Sequence, residues 1–119
     1  MKFLALCIAA LLPLAAVAQD GATTGTGAVL RGLEKVSGDV FDIPLAPGEQ
    51  ARLGPLTIEM AQCRYPQGDP AADAFAFLTI RDEGQDSPIF SGWMIASSPA
   101  LNALDHPRYD VWVLRCRIE

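Results

Sequence analysis

Histidine is almost absent from this sequence: His106 is the only one in 119 residues. A zinc centre draws on several His or Cys ligands at short spacings, and no C-x-x-C or H-x-x-x-H pattern occurs, so no metal site is expected. Basic residues are also scarce, nine Lys and Arg against fourteen Asp and Glu. A chain of net charge −5 lacks the cationic footprint that nucleic-acid phosphates and anionic lipid headgroups require, which excludes a nucleic-acid partner. No apolar run is long enough to cross a bilayer, which takes about 20 residues. No phosphate cradle is present either. Gly25-Thr26-Gly27 follows no strand, and Leu30 stands where a dinucleotide loop needs its third glycine, so no cofactor is expected. No internal repeat is visible.

What is present begins with an export signal. Met1 and Lys2 give a positive start, Phe3 through Leu14 is apolar, and Ala16-Val17-Ala18 supplies small residues for a cut before Gln19. Residues 1–18 read as a cleaved signal peptide, which places the mature protein in the periplasm with no transmembrane segment. Cys7 lies inside the apolar run, where a lipid-modified cysteine would follow it. Cleavage leaves 101 of the 119 residues and, by removing Lys2 alone of the charged residues, a net charge of −6. That length fits one domain. Residues 19–27 (QDGATTGTG) read as a flexible leader and residues 28–119 as a single β-rich domain. Only Cys63 and Cys116 then remain, and an even pair in an oxidising compartment is most simply a disulfide. Closing so long a loop contributes roughly 4 kcal/mol on chain-entropy grounds.

From Ala28 onward, β-branched and aromatic residues come in short runs divided by turn residues, the pattern of an all-β, mainly antiparallel sandwich or barrel-like domain. Val29 to Val36 and Val40 to Leu45 flank the hairpin turn Ser37-Gly38-Asp39, and Pro44 marks an edge strand. Leu56, Ile58 and Met60 share an inward face. Cys63 has the opposite parity, so a bulge or a strand end must intervene if it is to point inward. Arg64 to Asp73 reads as a long exposed loop, Ala74 to Arg81 as a buried strand, and Ile89 to Ala96 as another. Gly92, inside that last run, marks a bulge or a close approach by another segment. Ser98 and Pro99 open one short helix near residues 99–104. The final strand, Tyr109 to Cys116, carries apolar residues on both faces and reads as central.

Enzymatic constellations are weak. Ser91, Ser97 or Ser98 with His106 and Asp105 or Asp110 could be imagined as a hydrolase triad, but no G-x-S-x-G elbow frames any serine. Asp82, Glu83 and Asp86 cluster, as the paired acids of a glycosidase do, yet in a turn where acids are usually solvated. The segment around Trp93, His106, Tyr109 and Trp112 carries the most information. A turn between a short helix and a strand can hold polar and aromatic side chains rigidly at a surface, so Trp93, His106, Tyr109 and Asp110 are the candidate partner-binding residues. Trp112 and Leu114 are assigned to the core.

The same residues carry a family likeness. Phe90-Ser91-Gly92-Trp93-Met94, Ala96-Ser97-Ser98-Pro99, Asp105-His106-Pro107 and Tyr109 through Leu114 with Cys116 resemble the signature of an exported proteobacterial family, domain of unknown function 2155. Leu30 through Gly38, and Leu53 through Ile58 with Cys63, are similar to its first half, so the likeness covers residues 28 to 116. The resemblance implies no established activity and no catalytic residues. It supports the periplasm and the Cys63–Cys116 pairing. Members tend to be encoded beside an accessory subunit of respiratory complex I, which implies an accessory or assembly role at an inner-membrane complex. The expected function is thus a non-enzymatic, protein-binding or accessory module whose partner is another periplasmic or inner-membrane protein. The alternative is a small periplasmic hydrolase or carbohydrate-active enzyme.

Overall fold

The computed structural model describes residues 21–119. The expected signal peptide, residues 1–18, and the cleavage expected before Gln19 lie outside the described residues. Eight strands follow in order: β1 (Ala22–Thr24), β2 (Gly27–Glu34), β3 (Asp39–Leu45), β4 (Gln50–Leu53), β5 (Leu56–Pro66), β6 (Phe75–Asp82), β7 (Phe90–Ile95) and β8 (Tyr109–Arg117). All pair antiparallel in two sheets. The first has the order β1-β5-β6-β7 with β4 also on β5, and the second has the order β3-β2-β8. The turn Ser37-Gly38 closes the β2–β3 hairpin with Gly38 at φ +81°, a left-handed angle that favours glycine. β3, with Pro44, is an edge strand as expected.

The core lies between the sheets. Leu56, Ile58 and Met60 of β5, Leu78 and Ile80 of β6 and Met94 of β7 face Leu30, Ile43, Val111 and Val113 from the second sheet, all buried. Burying each large side chain contributes about 1.5–3 kcal/mol before entropy is charged against it. This is a β-sandwich-like domain, as its turn-punctuated apolar runs indicate.

Two bulges set the disulfide. Between Met60 and Gln62 the β5–β6 register skips Ala61, and this turns Cys63 from the outer face into the core. Between Val29 and Leu30 the β2–β8 register skips Leu114, so Cys116 shares the inward face of Val111 and Val113 rather than that of Trp112. The two cysteines, 53 positions apart, are bonded across the sandwich with Cα atoms at 5.6 Å. The bond ties β5 of one sheet to β8 of the other.

Four expectations are corrected. β8 is an end strand of its sheet and β2 is the central one. The apolar residues on its second face, Trp112 and Leu114, are half-buried on the outside of the sandwich rather than covered by another layer. The one short helix is present, as a 3-10 turn over Pro99–Leu101 with no side-chain cap from Ser98. None of its residues is buried, and a short helix without an apolar face to pack has little to hold it. Residues 22–27 are paired where a flexible leader was expected, because backbone hydrogen bonds rather than apolar side chains secure them. β1 lies along Arg64–Pro66, the Gly25 amide donates to the Cys63 carbonyl, and the Thr26 amide donates to that of Arg117. The same pairing draws Arg64 to Pro66 into β5, so the loop expected from residue 64 starts later.

Candidate binding surface

The four candidate residues do not form one site. His106 stands just before β8 with both ring nitrogens engaged. Its Nδ1 accepts the backbone N–H groups of Arg108 and Tyr109 at 3.0 and 3.1 Å, and its Nε2 lies 3.3 Å from the Asp82 carboxylate. That network assigns the ring proton to Nε2. The Lys35 ammonium donates to the His106 carbonyl, the Arg108 guanidinium pairs with Glu34, and Glu34 accepts from the Ser37 amide. His106 is therefore the centre of a latch that holds the ends of β2 and β6 to the start of β8.

Tyr109, expected at the surface, is only 8% exposed and belongs to the core. Its ring packs directly on Gly54, where a Cβ would overlap it and where the backbone adopts φ +59°. The parity of β8 explains the exchange with Trp112. The strand turns Tyr109, Val111 and Val113 inward, so Asp110, Trp112 and Leu114 point out. Asp110 is half-buried on that outer face and accepts the Val111 amide at 2.9 Å.

The imagined catalytic groups have other partners. The Ser97 hydroxyl donates to Asp73 at 2.7 Å. Burial opposes ionisation of Asp73, but hydrogen bonds from Ser97 and the Ala74 amide outweigh it and hold its carboxyl below the ordinary value. In the acidic turn, Asp82 faces His106 while Glu83 pairs with Arg52 at 2.6 Å. Among the described residues no three His, Cys, Asp or Glu side chains come together as a metal site would need.

Trp93 is different. It lies on the outer face of the first sheet and is 38% exposed. Cross-strand pairing sets Phe77 beside Trp93, and Arg64, Phe75 and Ile95 in the neighbouring row. The Phe77 and Trp93 rings meet edge to face, centroids 5.4 Å apart. Together Ala22, Arg64, Phe75, Trp93 and Ile95 line an open cleft of about 350 Å³. The backbone beneath is pinned, since Asn102 Nδ2 donates to the Trp93 carbonyl at 2.9 Å. A Cβ on Gly92 would strike that same amide, so the expected close approach at Gly92 is the Asn102 side chain. Arg64 sits at the rim. Its Nη2 donates to the Ala22 carbonyl at 3.0 Å, while its Nε is buried without a partner among the described residues.

Arg64, Phe75, Phe77 and Ile95 were not among the expected site residues. Their signal was the alternation Phe75-x-Phe77 and Trp93-x-Ile95, large apolar residues at the outward positions of strands whose inward positions were already apolar. A second cavity, of about 420 Å³, lies where Pro70 meets Arg115 and Ile118 near the end of β8.

No solved structure matches the chain. An uncharacterized protein of Rickettsia prowazekii (strain Madrid E) is 28% identical over 87 residues, which cover 71% of this chain and 56% of that one. The chain thus spans little more than half the length of the curated relative it matches. Residues 28–116 match the family described as an uncharacterized protein conserved in bacteria, DUF2155. That span runs from β2 through Cys116, takes in the latch, the disulfide and all of the cleft except Ala22, and covers most of the sequence; the chain belongs to the DUF2155 family.

Proposed function

We propose that the mature chain is a non-enzymatic periplasmic module that binds another protein through the outer face of its first sheet, centred on Trp93. The observation that carries this reading is the cleft itself, an exposed tryptophan and its apolar neighbours on a backbone pinned by Asn102. Rigid aromatic anchors of this kind dominate binding energy because little side-chain freedom is lost on contact. The export signal in residues 1–18 and the Cys63–Cys116 bond both favour an oxidising compartment. Engagement of both His106 nitrogens within the fold favours a structural over a catalytic role for that residue. Among the described residues no helix is long and apolar enough to cross a membrane. The partner implied by the family resemblance is a protein at the periplasmic face of an inner-membrane respiratory complex, which this chain would assist or help assemble.

A photoreactive amino acid placed at Ile95 in the exported protein, with Arg81 as a control on the same sheet, tests the reading. Discrete adducts from position 95 that are absent from position 81, and that vanish with Trp93→Ala, are the expected result. Adducts from neither position, or equally from both, would overturn it. Recovery of the protein in the osmotic-shock fraction tests the location separately.

A further inference from the structure

The cleft is apolar but has a charged rim. Arg31, Arg52 and Arg108 each meet a carboxylate, of Asp42, Glu83 and Glu34 respectively. Arg64, like Arg81 and Arg115, does not: among the described residues its guanidinium is given one backbone carbonyl, its Nε is buried without a partner, and no acidic residue lines the cleft beside it. A guanidinium given one backbone carbonyl and no carboxylate keeps terminal N–H groups for a ligand, and a carboxylate that meets them makes a strong, directional contact. The complement of this surface is therefore an apolar side chain joined at short range to an acid.

The register gives the spacing. Arg64, Phe75 and Ile95 stand in one row across three strands. Neighbouring strands lie about 4.8 Å apart, so the middle of the apolar floor between Phe75 and Ile95 is roughly 7 Å from Arg64. Residues i and i+2 of an extended chain share a face and lie at about that separation. We infer that the cleft receives an extended segment of the partner protein bearing an aliphatic or aromatic side chain and, two positions along, an aspartate or glutamate. The apolar side chain rests against Trp93, Phe75 and Ile95, and the carboxylate meets the guanidinium of Arg64. This inference rests on the protein-binding reading and deepens it by naming the chemistry of the partner.

The chain has two tryptophans, so Trp112→Phe leaves Trp93 as a fluorescent reporter of the cleft, and amide NMR shifts of the unaltered protein give an independent readout. The probes are three blocked pentapeptides with Thr elsewhere: one with Leu-Thr-Glu at its centre, one with Leu-Thr-Gln and one with Ala-Thr-Glu. The Leu-Thr-Glu peptide is expected to saturate the cleft, with the other two at least fivefold weaker. Arg64→Gln should erase the preference for Glu over Gln while retaining that for Leu over Ala. Arg64→Lys, which keeps the charge and loses the fork, should leave part of the preference and guards against a folding defect in the first variant. Equal affinity for the Glu and Gln peptides, with Trp93 still required, would overturn the acidic motif and leave the protein-binding reading standing. So would peptides that leave Trp93 unmoved while the crosslinks from position 95 persist. A Trp93-dependent dimer in sedimentation, with no peptide binding, would make a second copy the occupant and overturn the inference. Failure of both peptides and crosslinks would remove this inference and the protein-binding reading together.

Discussion

The His106 latch and the Trp93 cleft come from neighbouring stretches of one motif, and they spend their polar groups in opposite ways. At the latch, two backbone amides, an imidazole, two carboxylates, a guanidinium and an ammonium find partners within the chain. At the cleft, a guanidinium nitrogen has no partner among the described residues and a tryptophan is turned outward. A polar group satisfied internally stabilises the fold and has little left for a ligand, whereas unspent donors beside exposed aromatic surface stabilise the fold poorly and suit recognition. Proximity in sequence to an aromatic motif is therefore a poor guide to which residues bind.

Removing either region should separate stability from binding, and the disulfide sets the upper scale. Cys63→Ala with Cys116→Ala is expected to cost about 4 kcal/mol, because it frees a long loop in the unfolded chain. Chemical denaturation of the two forms measures it, and a loss under about 1 kcal/mol would mean that the sheets are held by packing alone. His106→Ala comes next. It leaves the amides of Arg108 and Tyr109 without their acceptor and Asp82 without its partner, so a loss of about 2–3 kcal/mol is expected. In a domain of this size that corresponds to a melting temperature lower by roughly 10 °C or more. Crosslinks from position 95 should persist below the new midpoint. A variant with unchanged melting and lost crosslinks would invert the comparison and make His106 the contact residue.

Trp93→Ala should show the opposite signature. The ring is partly exposed and its main described contact is the edge of Phe77, so the stability cost should stay near 1 kcal/mol while the loss of affinity for the partner reaches about 2 kcal/mol or more. Calorimetry beside a binding titration reads both quantities on the same protein. A large fall in melting temperature with intact binding would return Trp93 to the fold.

Much of the framework was legible in the sequence because alternation and turn chemistry are local. Ser37-Gly38 marks a hairpin, Pro44 an edge, and Leu56, Ile58 and Met60 an inward face by parity alone. The parity of Cys63 called for a bulge or a strand end if the cysteine was to point inward, and a bulge is found beside Ala61. What was not legible depends on partners distant in sequence. Nothing local in Tyr109-Asp110-Val111-Trp112 says which face turns inward, because that choice is made by the β2–β8 register and by a bulge at Leu114. The pairing of Ala22–Thr24 with the end of β5 uses backbone groups that composition does not register. The cleft depends on both kinds of information, since its floor follows alternation on β6 and β7 while Arg64 reaches its rim only because β5 extends through Pro66.

The smallest expected effect distinguishes the two regions by pH. Hydrogen bonds from Ser37, reinforced by the Arg108 guanidinium, hold the Glu34 carboxyl down from about 4.5 to about 2. A carboxyl whose folded value lies below its unfolded value contributes stability above the unfolded value, and that contribution disappears as pH falls through the folded one. The Glu34 contribution to the latch should therefore weaken between about pH 4.5 and pH 2 and be constant above that window. Asp42, held low by Arg31, and Asp73 act in the same direction, so the wild-type profile alone does not isolate Glu34. Glu34→Gln does, because it removes one titration and leaves the other two. The melting-temperature gap between wild type and Glu34→Gln is expected to be largest near pH 6 and to shrink steadily toward pH 2. Added salt should narrow the gap only in part, since it screens the exposed Arg108 and leaves the Ser37 hydrogen bond in place. Trp93 emission in the folded protein should stay constant over the same range, because no acid among the described residues lines the cleft. A gap that holds constant from pH 6 to pH 2 would show that the Glu34 carboxylate carries none of the latch, and would assign its stability to His106 and the backbone amides alone.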